Sequence, residues 1–323
     1  MHRRALLAAT LATPAIATQA LAQAWRPERP IRAIVPFAPG GTTDVVARLL
    51  AEPTGAILGQ PIVIENRPGG AAGLVGTDAV AKSAPDGHTI LINSNAHAIA
   101  PALVARMPYH AADDFAGLAM LGRVPQVLCV NPRTPANSMA ELIALLRREP
   151  GRHHFASAGI GSAVHMGGEV FRATAGVDVA PVHYRGGGPA MQAVITGEAI
   201  YTVDPVASAL GHIRGGSVRA LVVAGAERVA NLPDVPSAAE AGLPAFAVDT
   251  WVVAVAPART PAPAVAALNA AFHQGMRTAS ARLLEQSVFP MPQLQTPEQV
   301  IAFIRTDMAR SAEVMRAAGV RPE

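Results

Sequence analysis

Three glycine-bearing junctions hold the residues whose types and spacing could do chemistry. In the first, Phe37-Ala38-Pro39-Gly40-Gly41-Thr42-Thr43-Asp44, two glycines stand where a strand-like run meets a helical one. Such a junction exposes free backbone N–H groups and the positive end of a helix dipole, a setting suited to a carboxylate or phosphate. Asp44 falls in the first helical turn, where it can satisfy the dipole or hold water or an amine; an ordinary capped βα turn accounts for it equally well. Gly41 is expected at a close approach to the anion and in a turn that needs positive φ. The second junction, Ser157-Ala158-Gly159-Ile160-Gly161-Ser162, repeats the pattern with His165 one turn into the next helix. Taken alone, His165 reads as a satisfied, half-buried imidazole. In the third, Tyr184-Arg185-Gly186-Gly187-Gly188-Pro189, Arg185 could pair with an acidic solute or simply be solvated. Asp204 follows Tyr201-Thr202-Val203 and could accept from a ligand hydroxyl or amine, or turn the chain before Pro205. Ser94, just after the strand expected over 88–93, completes the candidate ligand-binding set.

Catalytic patterns are missing where they would be sought. There is no Gly-x-Ser-x-Gly elbow, and the nearest P-loop segment, Gly76 to Lys82-Ser83, has Ala81 where the glycine before lysine belongs. Gly159-x-Gly161 is followed by Val164 where a dinucleotide fingerprint needs glycine. No His-Glu-x-x-His, EF-hand loop or cysteine pair occurs, and the adjacent His153-His154 cannot both reach one metal from a strand. The sequence therefore assigns no catalytic residue, no metal and no cofactor. A pattern that holds something fits better than one that transforms it.

These junctions must be positioned by strands and helices that alternate along the chain, the rhythm of an α/β protein with mostly parallel sheets. Strands are expected over 31–37, 62–64, 88–93, 124–130, 155–157, 182–184, 200–203, 219–223 and 248–255. Helices are expected over 43–50, up to Lys82, from the Ser138/Glu141 capping box to Pro150-Gly151, and over 163–174, 263–277 and 300–318. The chain changes character near Val124 and again near Val248. Residues 25–124 and 249–323 are thus expected to form one lobe and 125–248 the other, with a ligand cleft between them.

At 323 residues the chain is long enough for two cores, and half of it is hydrophobic while 15% is charged, too apolar for disorder. Arg3 and Arg4 account for two of the +3 formal charges, so the chain beyond residue 24 carries +1. With its arginines scattered and Lys82 its sole lysine, no nucleic-acid partner is expected. Residues 1–24 read as an export signal: a basic start, an apolar run over 5–17 too short to span a bilayer, and Ala20-Leu21-Ala22 or Ala22-Gln23-Ala24 as a cleavage site. The Arg pair suits twin-arginine export, and a general secretory signal fits almost as well. Cys129 is the single cysteine, which excludes an internal disulfide and suits a small core residue in Val127-Leu128-Cys129-Val130.

Further motifs run through the first half: Arg29-Pro30-Ile31-Arg32, Val35-Pro36-Phe37-Ala38-Pro39-Gly40-Gly41-x-x-Asp44, Glu65-Asn66-Arg67-Pro68-Gly69, Ala84-Pro85-Asp86-Gly87 and Asp114-Phe115. Ser157-x-Gly159-x-Gly161-Ser162-x-x-His165, Tyr184-Arg185-Gly186, Leu232-Pro233-Asp234-Val235-Pro236 and Ala256-Pro257 continue through the second half. Together they resemble the Bug family of periplasmic receptors of tripartite tricarboxylate transporters. The resemblance implies a two-lobed, type II-like periplasmic-binding fold that closes on a small organic acid. It further implies a carboxylate held by main-chain groups and water at the first two glycine loops, and a monomer in the periplasm that meets permease subunits in the membrane. An orphan sensory receptor is the same-fold alternative, and a secreted hydrolase the rival. Two positions depart from the family: His110 stands where Asp is usual and His183 where Pro is common, the latter beside the third loop.

Overall fold

A computed structural model describes residues 25–291, 293–317 and 322; the signal expected over residues 1–24 lies outside them. The first half of the chain forms β1 (Ile31–Val35), α1 (Thr42–Leu58), β2 (Ile62–Asn66), α2 (Leu74–Ala81), β3 (Thr89–Ser94), α3 (Ala96–Ile99), β4 (Phe115–Val130) and α4 (Met139–Arg148). Then come β5 (His154–Ser157), α5 (Ala163–Ala175), β6 (Ala180–His183), α6 (Gly187–Thr196), β7 (Tyr201–Pro205), α7 (Val206–Arg214) and β8 (Arg219–Val223). β9 (Asp249–Pro257), α8 (Ala262–Thr278), α9 (Ser280–Glu285) and α10 (Pro297–Ala317) close the chain.

The strands order as β2-β1-β3-β9-β4-β7-β5-β6, with β8 also on β4. Both flanks are parallel, β1 with β2 and β3, and β5 with β6 and β7. The expectation of mostly parallel sheets fails in the middle, where β4 leaves one half and β9 returns to it. Two strands crossing in opposite senses must pair antiparallel, with each other and with β3, β7 and β8. β4 pairs with β9 from Phe115 to Pro125 and with β7 from Gln126 to Val130. The fully buried Gln126 holds this changeover, since its Nε2 donates to the Ala163 carbonyl at 3.0 Å and to Thr250 Oγ1 at 2.9 Å.

Each half builds its own core. Ile31, Leu50, Ile92, Val252, Leu268 and Phe272 pack together on one side, and Leu128, Leu142, Phe155, Phe171, Tyr201 and Phe246 on the other. A buried side chain of this size contributes about 1.5–3 kcal/mol, so either cluster outweighs any single surface contact. α1 outruns its expected end at residue 50 and passes through Pro53. Its second half is held from outside: Gly275 of α8 comes so near that a Cβ there would lie 2.3 Å from Thr54 Oγ1. Tertiary packing thus overrides the local cost of proline. Among the described residues no helix is long and apolar enough to cross a membrane.

Candidate functional site

The first junction opens α1. Gly40 has φ +86 and Gly41, the N-cap, has φ −79, so the positive φ expected at Gly41 belongs to Gly40 instead. The reason is the next link: at this φ the Gly40 N–H turns inward and donates to Asp44 Oδ2 at 3.0 Å. Asp44 is 3% exposed and also accepts from Arg48 Nε at 3.1 and 3.0 Å and from Asn66 Nδ2 at 3.0 Å. Burial would raise its pKa, but the Arg48, Gly40 and Asn66 donors outweigh that and hold it below the usual carboxylate value. Asp44 braces the loop from behind.

The second junction, ahead of α5, has the same plan with different atoms. Ser162 caps the helix by accepting the His165 N–H at 3.1 Å, and His165 Nδ1 accepts the Gly161 N–H at 3.1 Å. The His165 proton therefore sits on Nε2, which faces Glu169 Oε1 at 3.8 Å; Arg172 Nε in turn donates to Glu169 Oε2 at 2.8 Å. Burial, reinforced by His183 and Arg172, lowers the His165 pKa to about 4, so the ring is neutral. Ser157 Oγ bonds the Gly159 carbonyl at 3.1 Å and His183 Nδ1 at 3.0 Å, behind the loop. His110, the other departure from the family pattern, is exposed and lies 3.1 Å from Asp113.

The walls meet over two spaces, termed inner and outer, whose linings share Phe37, Ala158 and Ser162. The inner one, about 40 Å³, is bounded by Phe37, Gly41, Thr42, Ser94, Ser162 and Asp204 of the expected set, with Thr43, Ala158, Ala163, Val164, Gly187, Pro205 and Thr250. The outer one, about 380 Å³, is lined by Phe37, Gly159, Ser162, Tyr184 and Arg185, with the Pro68–Gly70 loop, Ala72 and Gly73 on the facing side. Ala38, Gly40, Asp44, Ser157, Gly161 and His165 line neither space. A larger open groove of about 760 Å³ along α1 and β2 holds none of the expected residues.

Direct contacts close the cleft. The Ala72 N–H donates to the Ile160 carbonyl at 2.8 Å, and Thr42 Oγ1 lies 3.1 Å from Ser208 Oγ. Ala72 makes its contact at φ +53, a strained conformation for alanine that tertiary contacts must sustain. Glycine is required where the walls touch: a Cβ on Gly161 would lie 2.1 Å from Leu103 Cδ1, and one on Gly186 would lie 2.8 Å from Ala38 Cβ. Sequence motifs did not mark the Pro68–Gly70 wall as part of the site. Its tandem glycines after β2 and the Glu65-Asn66-Arg67-Pro68-Gly69 motif were the available signals, whereas Gln126 and Ser208 follow no motif.

Asp204 differs from Asp44 in its company. It lies one residue before the end of β7, is 3% exposed, and accepts from Ser208 Oγ at 2.9 Å. Burial, only partly countered by Ser208, raises its pKa to about 7. Among the described residues no group of three or more His, Cys, Asp or Glu side chains could hold a metal ion.

Two α/β halves joined by two crossing strands and closing over helix starts define a solute-binding receptor of the two-lobed periplasmic-binding type. The chain belongs to the tripartite tricarboxylate transporter family of receptors, whose pattern matches residues 46–320. It is 36% identical over 319 residues to Protein BugT of Bordetella pertussis (strain Tohama I), covering 98% of this chain and 97% of that one. Among solved structures, MatC (Rpa3494) from Rhodopseudomonas palustris with bound malate is 35% identical with a TM-score of 0.84, over 89% of this chain and 99% of that one. R. palustris Rpa4515 with adipate is 31% identical with a TM-score of 0.86, over 92% and 99%.

Proposed function

We propose that this receptor works in the periplasm, exported by the signal over residues 1–24, and captures a small dicarboxylate between lobes formed by 25–124 with 249–323 and by 125–248. It then presents the closed form to membrane permease subunits, without chemical conversion of the solute. The observation that carries the reading is the pair of braced helix starts, at Gly41 and Ser162, bounding one inner space. Their N–H groups and dipoles suit one carboxylate. The outer space leaves room for the rest of the molecule, with Arg185 beside its distal carboxylate. Similarity to receptors solved with malate and with adipate supports this ligand class.

A thermal-shift panel of mono-, di- and tricarboxylates, acidic amino acids and aromatic acids tests it. A ligand at 100 times its dissociation constant should stabilise the protein by about 2.7 kcal/mol. Malate or adipate should raise the melting temperature and be recovered unchanged after long incubation; reproducible conversion by purified protein would replace the receptor reading with an enzymatic one.

A further inference from the structure

We propose that Asp204 is the residue that selects an acid in the cleft: in the complex it carries a proton and donates it through Oδ1 to the solute carboxylate. Where Asp204 is ionised before binding, capture of a solute therefore takes up one proton from solution. The inference rests on the dicarboxylate reading above and adds to it the identity of the side chain that meets the anion.

The geometry leaves Asp204 little alternative. Its Oδ2 is taken by Ser208, while Oδ1 has no hydrogen-bond partner among the described residues and faces the inner space beside Gly187, where a Cβ would stand 4.0 Å away. The other polar side chains on that wall are the hydroxyls of Thr42, Thr43, Ser94, Ser162 and Thr250; among the described residues lining it there is no Arg, Lys or His. A carboxylate entering this space thus meets a carboxyl group with no cation to separate the two. Like charges a few ångströms apart with little water between them cannot both persist, and a shared proton resolves the conflict as a charge-assisted hydrogen bond.

No cationic side chain favours the Asp204 anion, and the helix starts around it offer backbone dipoles for which the solute anion competes. From β4 the nearest titratable group is the Cys129 thiol, itself pushed up by burial and by Asp204. α7 presents the Ser208 hydroxyl and α1 the Thr42 hydroxyl bonded to it. α6 presents its first backbone groups at Gly187, which suit the solute anion. No charged side chain is paired with Asp204 among the described residues. Burial already places its titration near 7 without ligand, and an adjacent anion moves it higher.

The test is calorimetric titration of the mature protein with malate and with adipate at pH 6 and pH 8, in buffers of differing ionisation enthalpy. Binding at pH 8 should take up close to one proton, at pH 6 about a tenth of one, with affinity roughly tenfold weaker at pH 8. Asp204→Asn keeps a donor but has no proton to gain, so its binding should take up no proton at either pH and its affinity should stay flat from pH 6 to pH 8. Carboxyl carbon NMR of wild type gives a second readout, with Asp204 remaining protonated at pH 8 when malate is bound. Binding without proton uptake, or an ionised Asp204 in the complex, overturns the proposal while leaving the dicarboxylate reading intact. If neither acid binds, the dicarboxylate reading fails and the proposal fails with it.

Discussion

The loops that open α1 and α5 meet the same geometric demand with different electrostatics, one through an anion and the other through a neutral ring. In each, a glycine just before the N-cap turns its N–H inward, and a side chain four residues on accepts it: Asp44 for Gly40, His165 for Gly161. The first acceptor is an anion sharing donors with Arg48 and Asn66, held below its usual pKa. The second is a neutral imidazole whose pKa burial lowers to about 4. A brace needs only a lone pair in the right place. The chemistry that supplies it decides which perturbation breaks it.

Removing the anionic brace should have the largest effect. Asp44→Ala orphans donors from Gly40, Asn66 and Arg48 together, and losing several hydrogen bonds around one buried carboxylate costs about 2–4 kcal/mol. Urea denaturation should show a loss of that order, clearly greater than for His165→Ala, which orphans the Gly161 N–H alone. Equal losses would mean that the shared donors add nothing to the first loop.

Acid should separate the braces without mutation. His165 titrates near 4 when folded against an ordinary value of 6.5, so the unfolded chain binds its proton first. Its contribution is complete above about pH 6.5 and is lost as pH falls from 6.5 towards 4, a few kcal/mol at most. The buried His97, also lowered to about 4, adds to the same window. Asp44 is lowered instead from the ordinary carboxylate value, so its contribution stays in place until pH falls through and below 3.8. Amide exchange followed downward from pH 6.5 should therefore expose Gly161 before Gly40; the reverse order would contradict the assigned braces.

Alanine at the two glycines should separate them again, by at least roughly tenfold in affinity. Both sit at positive φ, but a Cβ on Gly40 meets nothing within 4 Å while one on Gly161 would stand 2.1 Å from Leu103 Cδ1. Gly161→Ala should hold the cleft ajar, visible as a radius of gyration that no longer falls when malate is added. Gly40→Ala should bear only the strain of its backbone and still close. The smallest effect belongs to Arg185, exposed at the mouth and outside both braces. Arg185→Ala should slow association of malate a few-fold at low salt and hardly at all at high salt; stopped-flow kinetics at two ionic strengths would tell.

Local chemistry made much of the fold legible. Ser138 accepts from the Glu141 N–H at 3.2 Å as their spacing implies, while the Glu141 side chain reaches back one residue further, to the Asn137 N–H at 2.7 Å. The strand at 219–223 is where its apolar run places it. β4 was legible only from residue 124 to its end at 130. Its register shifts between Gly117 and Ala119 and between Met120 and Gly122, so no simple alternation marks 115–123 as a strand. Gly117 is small because α10 covers it, where a Cβ would lie 2.3 Å from the Pro297 carbonyl. That requirement comes from a segment 180 residues away in sequence, and nothing nearby announces it.

By itself the sequence determined the helix starts with their glycines, the absence of a nucleophile elbow, and an aspartate at each of two strand-to-helix passages. It could not distinguish those aspartates. Asp44 and Asp204 are equally buried and equally suited by position to a cap or a ligand. Asp44 is drawn into the loop by Arg48 and Asn66, whereas Asp204 keeps one oxygen free and faces the inner space with only Ser208 for company. Local spacing offered Arg48 to the first and Ser208 to the second, but Asn66 arrives through strand pairing and the exclusion of water arrives only when the walls meet. The ionisation of a carboxyl group depends on which charges and donors lie within a few ångströms and how much water remains, and both are distances through space that only the folded chain fixes.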